Sequence, residues 1–291
     1  MPAVGQREVL TQKDVVRFFT DALGYAYLGH WQDREGNSNI EESLLMAWLK
    51  RQGHSDKIIQ KVLFELGKAA ALGGSKTLYD ANREVYGLLR YGVKVKPEVG
   101  EQNVTVWLID WENPEVNDFA IAEEVTVYGV NTKRPDIVVY VNGIALGVLE
   151  LKRSTVSVTQ GIRQNLDSQK KGFIRPFYTT VQLVMAGNDT EGLRYGVIET
   201  PEKYWLRWKE ADAHPAAGDN PLLRELSQLC TKARLLEIVH DFIVFDAGTK
   251  KTCRHNQYFG VRAAQAAFSG TPRAAASRSP WCGWPSGYAS T

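Results

Sequence analysis

Cysteine is scarce in this chain of 291 residues: Cys230, Cys253 and Cys282 are its three examples, widely spaced and odd in number. They form no CxxC or Cys/His pattern, which excludes a disulfide framework or a zinc module and suits a reducing cytoplasm. The five histidines, at positions 30, 54, 214, 240 and 255, are scattered without metal-ligand spacing. No apolar run approaches the length of a membrane span, and the opening MPAVGQREVL has no apolar leader core, so a membrane or secreted chain is not expected. The formal net charge is only +2, so no global polycation advertises a nucleic-acid partner. A phosphate loop is missing too. Gly73-Gly74-Ser75-Lys76-Thr77 lacks the G-x-x-x-x-G-K-[ST] pattern and follows a helical segment, so it reads as a linker, and no residue is assigned to ATP. Finally, Ala267–Thr291 contains no Lys, Asp, Glu, Val, Ile, Leu or Met. Such a segment cannot build a packed core and is expected to be disordered.

What is present supports a sizeable core, since 44% of the residues are hydrophobic. Helical periodicity runs over 11–24, 40–53 and 55–72, with Thr11 and Ser55 as N-caps and Gly53 as a stop. A further helix covers 80–91. Strands follow near 104–110, 123–130, 136–141 and 144–152, then a helix over 160–171 capped by Thr159 and ended by Gly172. Strands near 177–186 and 194–198 complete an α/β sheet. Ala211–Asn220 reads as a boundary, and 221–245 is helical again. There is no internal repeat.

The most informative stretch is Arg134-Pro135-Asp136-Ile-Val-Val-Tyr-Val-Asn142-Gly143-Ile-Ala-Leu-Gly147-Val-Leu-Glu150-Leu151-Lys152. It reads as two apolar strands joined by an Asn-Gly turn. Alternation puts Glu150 and Lys152 on one face and Leu151 on the other. An acid and a lysine within an apolar run are costly to bury unless paired or bound to a metal. A regular two-residue turn would set Asp136 opposite Leu149 and leave the two carboxylates on different faces. A joint site therefore requires a one-residue offset: a three-residue loop, a bulge at Gly147, or a kink after Pro135. The surroundings are basic, with eight Lys and Arg against three acids from Lys133 to Arg175, which suits a polyphosphate backbone. A surface hairpin with a solvated ion pair is the alternative.

Asp, a short hairpin and Glu-x-Lys resemble the PD-(D/E)xK nuclease core. The flanks extend the resemblance: Asn82-Arg-Glu84-Val-Tyr86, Trp107-Leu-Ile-Asp110-Trp-Glu-Asn113-Pro114-Glu-Val-Asn117-Asp118-Phe119, Lys133-Arg-Pro-Asp136, Gly161-Ile-Arg163-Gln164-Asn165, Phe177-Tyr-Thr-Thr-Val-Gln182 and Met185-Ala-Gly-Asn188-Asp189. In this order, from about Thr11 to Ala266, they resemble the N-terminal region of the restriction (HsdR-type) subunit of type I restriction-modification enzymes. The resemblance implies a mixed sheet flanked by helices, with an N-terminal helical part at 1–78, a nuclease core at 79–212 and a helical linker at 213–266. Residues 267–291 stand apart as a tail.

The same resemblance assigns roles. Asp136 and Glu150 would hold Mg²⁺, joined by the backbone carbonyl of Leu151, and Lys152 would orient water or stabilise phosphate charge. Glu84 matches an additional helix acid that some members carry, or is an ordinary surface residue. Gln160, Arg163, Gln164 and Lys171 share a helix face that could meet the DNA backbone. Related nucleases often carry Gln-x-x-x-Tyr there, whereas this sequence has Gln160-Gly-Ile-Arg-Gln164, which puts any contact of the tyrosine hydroxyl in doubt. In the family an ATP-driven DNA motor follows, and Gln257 matches a glutamine that can read adenine at its approach. Without a Walker A motif after it, the chain is expected to be a truncated restriction subunit with an out-of-frame tail, the alternative being a native short protein with a flexible tail. Implied partners are double-stranded DNA and the methyltransferase and specificity subunits. Two functions follow: a Mg²⁺-dependent endonuclease domain, or an inert DNA-binding or assembly fragment.

Overall fold

The computed structural model describes residues 4–98 and 100–268. The chain opens with α1 (Val4–Arg17), a π-helical turn (Phe18–Ala22) and β1 (Ala26–His30). Three helices follow: α2 (Glu42–Arg51), α3 (Asp56–Ala70) and α4 (Leu78–Tyr91). A short hairpin of β2 (Val93–Val95) and β3 (Val104–Val106) leads to β4 (Phe119–Glu123), β5 (Ile137–Val141) and β6 (Ile144–Leu151). Then come α5 (Val158–Ser168), a 3₁₀ turn (Arg175–Thr179), β7 (Leu183–Asn188), β8 (Gly192–Gly196), α6 (Pro221–Leu229) and α7 (Lys232–Asp241). A second hairpin, β9 (Ile243–Asp246) and β10 (Thr249–Thr252), precedes α8 (His255–Phe268).

Six strands form one mixed sheet in the order β1-β4-β5-β6-β7-β8. The β1/β4 and β6/β7 pairs are parallel and the others antiparallel. β5 and β6 lie in the middle and are buried throughout, so they read as near-continuous apolar runs. Ile137, Val139, Val141, Leu149 and Leu151 face a large core shared with α1 to α4, α6 and α7. Val138, Tyr140, Val148, Val184 and Ala186 face a smaller one closed by α5 and the 175–179 turn. The sheet is thus covered by helix on both faces.

The β5–β6 turn is fastened from outside. Asn142 and Gly143 have φ of 51° and 82°, the pair of positive values that a two-residue type I′ turn needs. Asn142 is buried: its Nδ2 donates to Leu108 O at 2.9 Å and Asn117 Oδ1 at 2.8 Å, and its Oδ1 accepts from Asp118 N at 2.7 Å. The Leu108–Asp118 segment therefore works as a clamp on the hairpin. Asn142→Ala removes all three of these hydrogen bonds, leaving Asn117 Oδ1 with only Asp110 N, and should cost about 3 kcal/mol in urea unfolding, by the usual cost of lost buried hydrogen bonds.

Several sequence expectations are corrected. The first helix begins before residue 11, so Thr11 is not a cap; its hydroxyl donates to the Asp189 carboxylate instead. Ser55 does cap α3, accepting from Ile58 N at 3.4 Å. The expected strand at 123–130 is displaced to β4, which ends where Glu124 adopts a φ of 51°. The expected strand at 177–186 is shortened to β7, because Pro176 sits within a 3₁₀ turn ahead of it. The helix after the hairpin is capped by Ser157, not Thr159. The expected helix over 221–245 breaks at Cys230–Thr231, and its end becomes β9. Gly73–Thr77 is a linker whose Thr77 forms a capping box with Asp80 on α4. The tail expected to lack structure is helical at residues 267 and 268, and its remainder lies outside the described residues.

Lys250 on β10 pins the second hairpin to the main body. It is 4% exposed, and its Nζ donates to Asn82 Oδ1 and Gln182 Oε1, both at 2.7 Å. Burial with only neutral acceptors pulls its ammonium well below the usual lysine range. Cys230 and Cys253 are buried free thiols. No helix among the described residues is long and apolar enough to cross a membrane.

Candidate active site

The offset that a joint carboxylate site requires lies within β6. The ladder runs Val141↔Ile144 and Tyr140↔Ala145, then slips to Val139↔Gly147, Val138↔Val148 and Ile137↔Leu149. Leu146, beside Gly147, is the additional residue. Core membership shows the same flip: Ile144 and Leu146 face the large core, whereas Val148 faces the smaller one. Continuing the ladder outward sets Asp136 opposite Glu150, on the face that α5 covers. One bulge thus converts divergent carboxylates into neighbours.

Their surroundings differ. Glu150 is 1% exposed, whereas Asp136 at the strand mouth is half-buried. Asp136 Oδ2 accepts the Leu151 N–H at 2.6 Å, tying the end of β6 to the start of β5. Glu150 Oε2 accepts from Gln164 Nε2 at 2.5 Å. Burial, the nearby Asp136 charge and a hydrogen bond between the two side chains hold the Glu150 carboxyl well above the usual range. Lys152 and Lys133 oppose that shift. Lys152 Nζ donates to Leu151 O at 2.7 Å, so the ammonium and the proposed carbonyl ligand are already in contact.

α5 reaches the site because Gly161 lets it. A Cβ there would lie 3.2 Å from Ala186 Cβ and 3.5 Å from both Glu150 O and Lys152 Cγ. The helix N-terminus is held by Ser157 and by Glu191, whose Oε1 accepts from Val158 N at 3.0 Å. Gln164, one turn further on, then faces Glu150.

Two carboxylates with the Leu151 main-chain carbonyl beside them offer oxygen atoms of the kind a hard cation takes, while the Gln164 amide is engaged with Glu150 through its nitrogen. Among the described residues no group of three His, Cys, Asp or Glu side chains is arranged to hold a metal. A two-carboxylate set fits Mg²⁺, which keeps several of its waters, better than it fits zinc. The register that brings Asp136 and Glu150 to one face is the observation in favour: a bound cation would offset the repulsion of two carboxylates set side by side.

Residues 5–203 match the family model described as the N terminus of the type I restriction enzyme R protein. The chain belongs to that family. It is 28% identical over 213 residues to the type I restriction enzyme HindI endonuclease subunit of Haemophilus influenzae, covering 68% of this chain and 20% of that one. A Methanocaldococcus jannaschii relative, provisionally named the type I restriction enzyme MjaIXP endonuclease subunit, is 28% identical over 277 residues, covering 83% of this chain and 26% of its own length. The type I restriction enzyme EcoprrI endonuclease subunit of Escherichia coli is 23% identical over 152 residues, 49% of this chain and 46% of that one. The chain spans about a fifth to a quarter of the length of the first two relatives.

In this restriction-subunit N-terminal region the other candidates are distributed unevenly. Gln160, Arg163 and Lys171 are exposed, while Gln164 turns inward to Glu150. Arg163 forms a two-pronged pair with Glu202, at 2.7 and 3.2 Å, so its fork is engaged within the protein. Glu84 pairs with Lys76 at 2.7 Å on the exposed side of α4. Gln257 caps α8, its Oε1 accepting from Arg254 N at 2.8 Å. Sequence reasoning missed the Gln164–Glu150 contact and Gly161 as the point of close approach; only Gly161 carries a local signal.

Proposed function

We propose that this chain carries the Mg²⁺-dependent DNA endonuclease centre of a type I restriction subunit, built on a PD-(D/E)xK core. The observation that carries the reading is the Leu146 bulge, which puts Asp136 and Glu150 on one face beside Lys152. Asp136 and Glu150 would hold the cation, with the Leu151 carbonyl available as a third oxygen. Bound there, Mg²⁺ would lower the pKa of a coordinated water and offset charge on the scissile phosphate. Lys152 brings an ammonium to the same mouth, where it would orient water or meet phosphate oxygen. Gln164 holds the buried Glu150 oxygen in place, leaving the outer face of the pair for the ligand.

Double-stranded DNA is the substrate under this reading, and the methyltransferase and specificity subunits are the partners that would bring it, in the cytoplasm. Sequence choice would then rest with another subunit. Gln160 and Lys171 remain on the exposed face for backbone contacts, so binding should be sequence-independent and fall steeply with salt as counterions are released. The test is plasmid nicking with Mg²⁺ by the wild type, Asp136→Ala and Lys152→Ala. Each variant should lose about 10²-fold or more, the scale of one preorganised electrostatic partner. Equal residual cleavage by all three proteins would instead assign the activity to a contaminant and leave an inert binding or assembly region.

A further inference from the structure

Between β4 and β5 the chain forms an irregular hairpin whose tip stands in solvent. Glu124 N donates to Asp136 O at 2.9 Å and Val125 N to Pro135 O at 3.0 Å. Val127 and Lys133 exchange both backbone hydrogen bonds, at 2.9 and 3.2 Å. Val125 and Val127 are buried in the smaller core. Past them, Tyr128-Gly129-Val130-Asn131-Thr132 is exposed throughout, and its two large apolar side chains are 70% (Tyr128) and 79% (Val130) exposed.

This tip is fastened. Asn131 Nδ2 donates to Gly172 O at 2.7 Å, in the turn that follows α5. Gly129 packs so closely on that turn that an added Cβ would lie 2.5 Å from Phe173 O. Lys133 Nζ stands 4.3 Å from the centre of the Phe173 ring. A turn that meets only water favours small polar residues, so an apolar pair held out on a fastened tip asks for a partner. Little freedom is left there to lose on binding.

Charge indicates what that partner is. Arg134 pairs with Glu124 and Lys170 with Asp167, so those charges offset one another. Lys133 and the exposed Lys171 are positive charge in excess on the two sides of the contact, and residues 125–135 contain no acid. The tip is also tethered to the carboxylate site. Lys133 precedes Asp136 by three residues and Val130 precedes it by six, which limits their separations to about 11 and 21 Å at full extension. About six base pairs of duplex cover the longer distance.

We propose that the 128–132 tip is a DNA-gripping element: Tyr128 and Val130 press into the minor groove, while Lys133 and Lys171 take phosphates beside it. This rests on the reading of DNA as substrate. Contacts of this kind hold a duplex in place without reading its sequence.

The test is fluorescence anisotropy of a labelled DNA duplex, without Mg²⁺ and over a series of salt concentrations, on the full chain. Tyr128→Ser/Val130→Ser should melt as wild type does, because both side chains are exposed, yet bind about tenfold more weakly at every salt concentration, the scale of losing an interface anchor. Its salt dependence should not change, since no phosphate contact is lost. Lys133→Ala and Lys171→Ala should each weaken binding and lower the slope of log affinity against log salt by about one. Tyr91→Ser is the control. Tyr91 is 63% exposed at the end of α4, near Leu89, whose carbonyl accepts from Trp111 of the clamp at the other end of β5 from Asp136. This variant should bind as wild type does. Wild-type affinity in Tyr128→Ser/Val130→Ser overturns the tip, and is the result expected if a protein subunit covers it instead. A wild type that binds no duplex at low salt overturns the DNA reading and the tip together. Undiminished nicking by Asp136→Ala removes the metal site and leaves the tip standing.

Discussion

Glu150→Gln should make the metal-free protein more stable while abolishing Mg²⁺-dependent nicking. The two effects have one cause. Glu150 is buried beside Asp136 and held by an amide donor, a place that resists a second negative charge. Glutamine keeps the oxygen that accepts from Gln164 and turns an NH₂ toward Asp136, so hydrogen bonding survives while the repulsion goes. The pH dependence follows in sign. The folded carboxyl holds its proton to higher pH than the unfolded one. Wild-type stability should therefore be fullest below the ordinary carboxylate range and fall as pH rises through the raised value. Glu150→Gln lacks that slope, so its advantage over wild type should widen toward neutral pH. Mg²⁺ should restore the wild type and leave the variant unmoved. Urea unfolding from pH 4 to pH 8, with and without Mg²⁺, decides it. A variant less stable than wild type at pH 8 in the absence of metal would contradict this account of the site.

The bulge marks how far sequence reasoning reached. Alternating apolar residues around Asn142-Gly143 made the hairpin legible, and counting residues across the turn showed that two carboxylates at 136 and 150 could not meet in a regular ladder. The sequence could not say which of three irregularities would resolve this. The choice of Leu146 is made by tertiary packing, because Ile144 and Leu146 are both drawn into the large core while Val148 is drawn into the smaller one. Two strands were missed for the opposite reason: β1 has no alternating burial, and β2 is three residues long, too short for a period to register, while the strand expected near 104–110 is cut to the three residues of β3. At 221–245 an unbroken apolar stripe hid a break, since a buried Cys230 and an exposed Thr231 are residues that either a helix or its end can carry.

The site was legible in its first layer and not behind it. Asp136, Glu150 and Lys152 announce themselves as charges in an apolar run. Gln164 and Arg163 look alike on a helical wheel, yet one turns inward to Glu150 and the other pairs with Glu202 across the surface. Only the docking of α5 separates them, and that docking is close at Gly161, where an added Cβ would lie 3.2 Å from Ala186 Cβ.

Gly143→Ala should be among the most damaging methyl additions at the described glycines. The position combines a φ of 82° with close packing: an added Cβ would lie 2.7 Å from Leu45 N, 2.8 Å from Glu41 O and 2.8 Å from Leu44 Cβ. These are backbone atoms of the α2 N-terminus, or side-chain atoms rooted on it, and they cannot swing away. The contact is also a join, since Glu41 N donates to Gly143 O at 2.8 Å and Ala145 N donates to Asn39 O at 2.9 Å. Relief would require α2 to lift from the hairpin, exposing Leu45, Trp48 and Leu49, all in the large core. The expected cost is about 4 kcal/mol or more, in the range kept for overpacking combined with strain. Gly53→Ala separates the two contributions, because Gly53 has a φ of 84° but nothing within 4 Å of an added Cβ. It should cost only about 1–2 kcal/mol, the price of the backbone conformation alone. Urea unfolding of both variants measures the difference. Equal losses would mean that α2 yields easily, and that the hairpin carrying Asp136 and Glu150 is not held in register from outside.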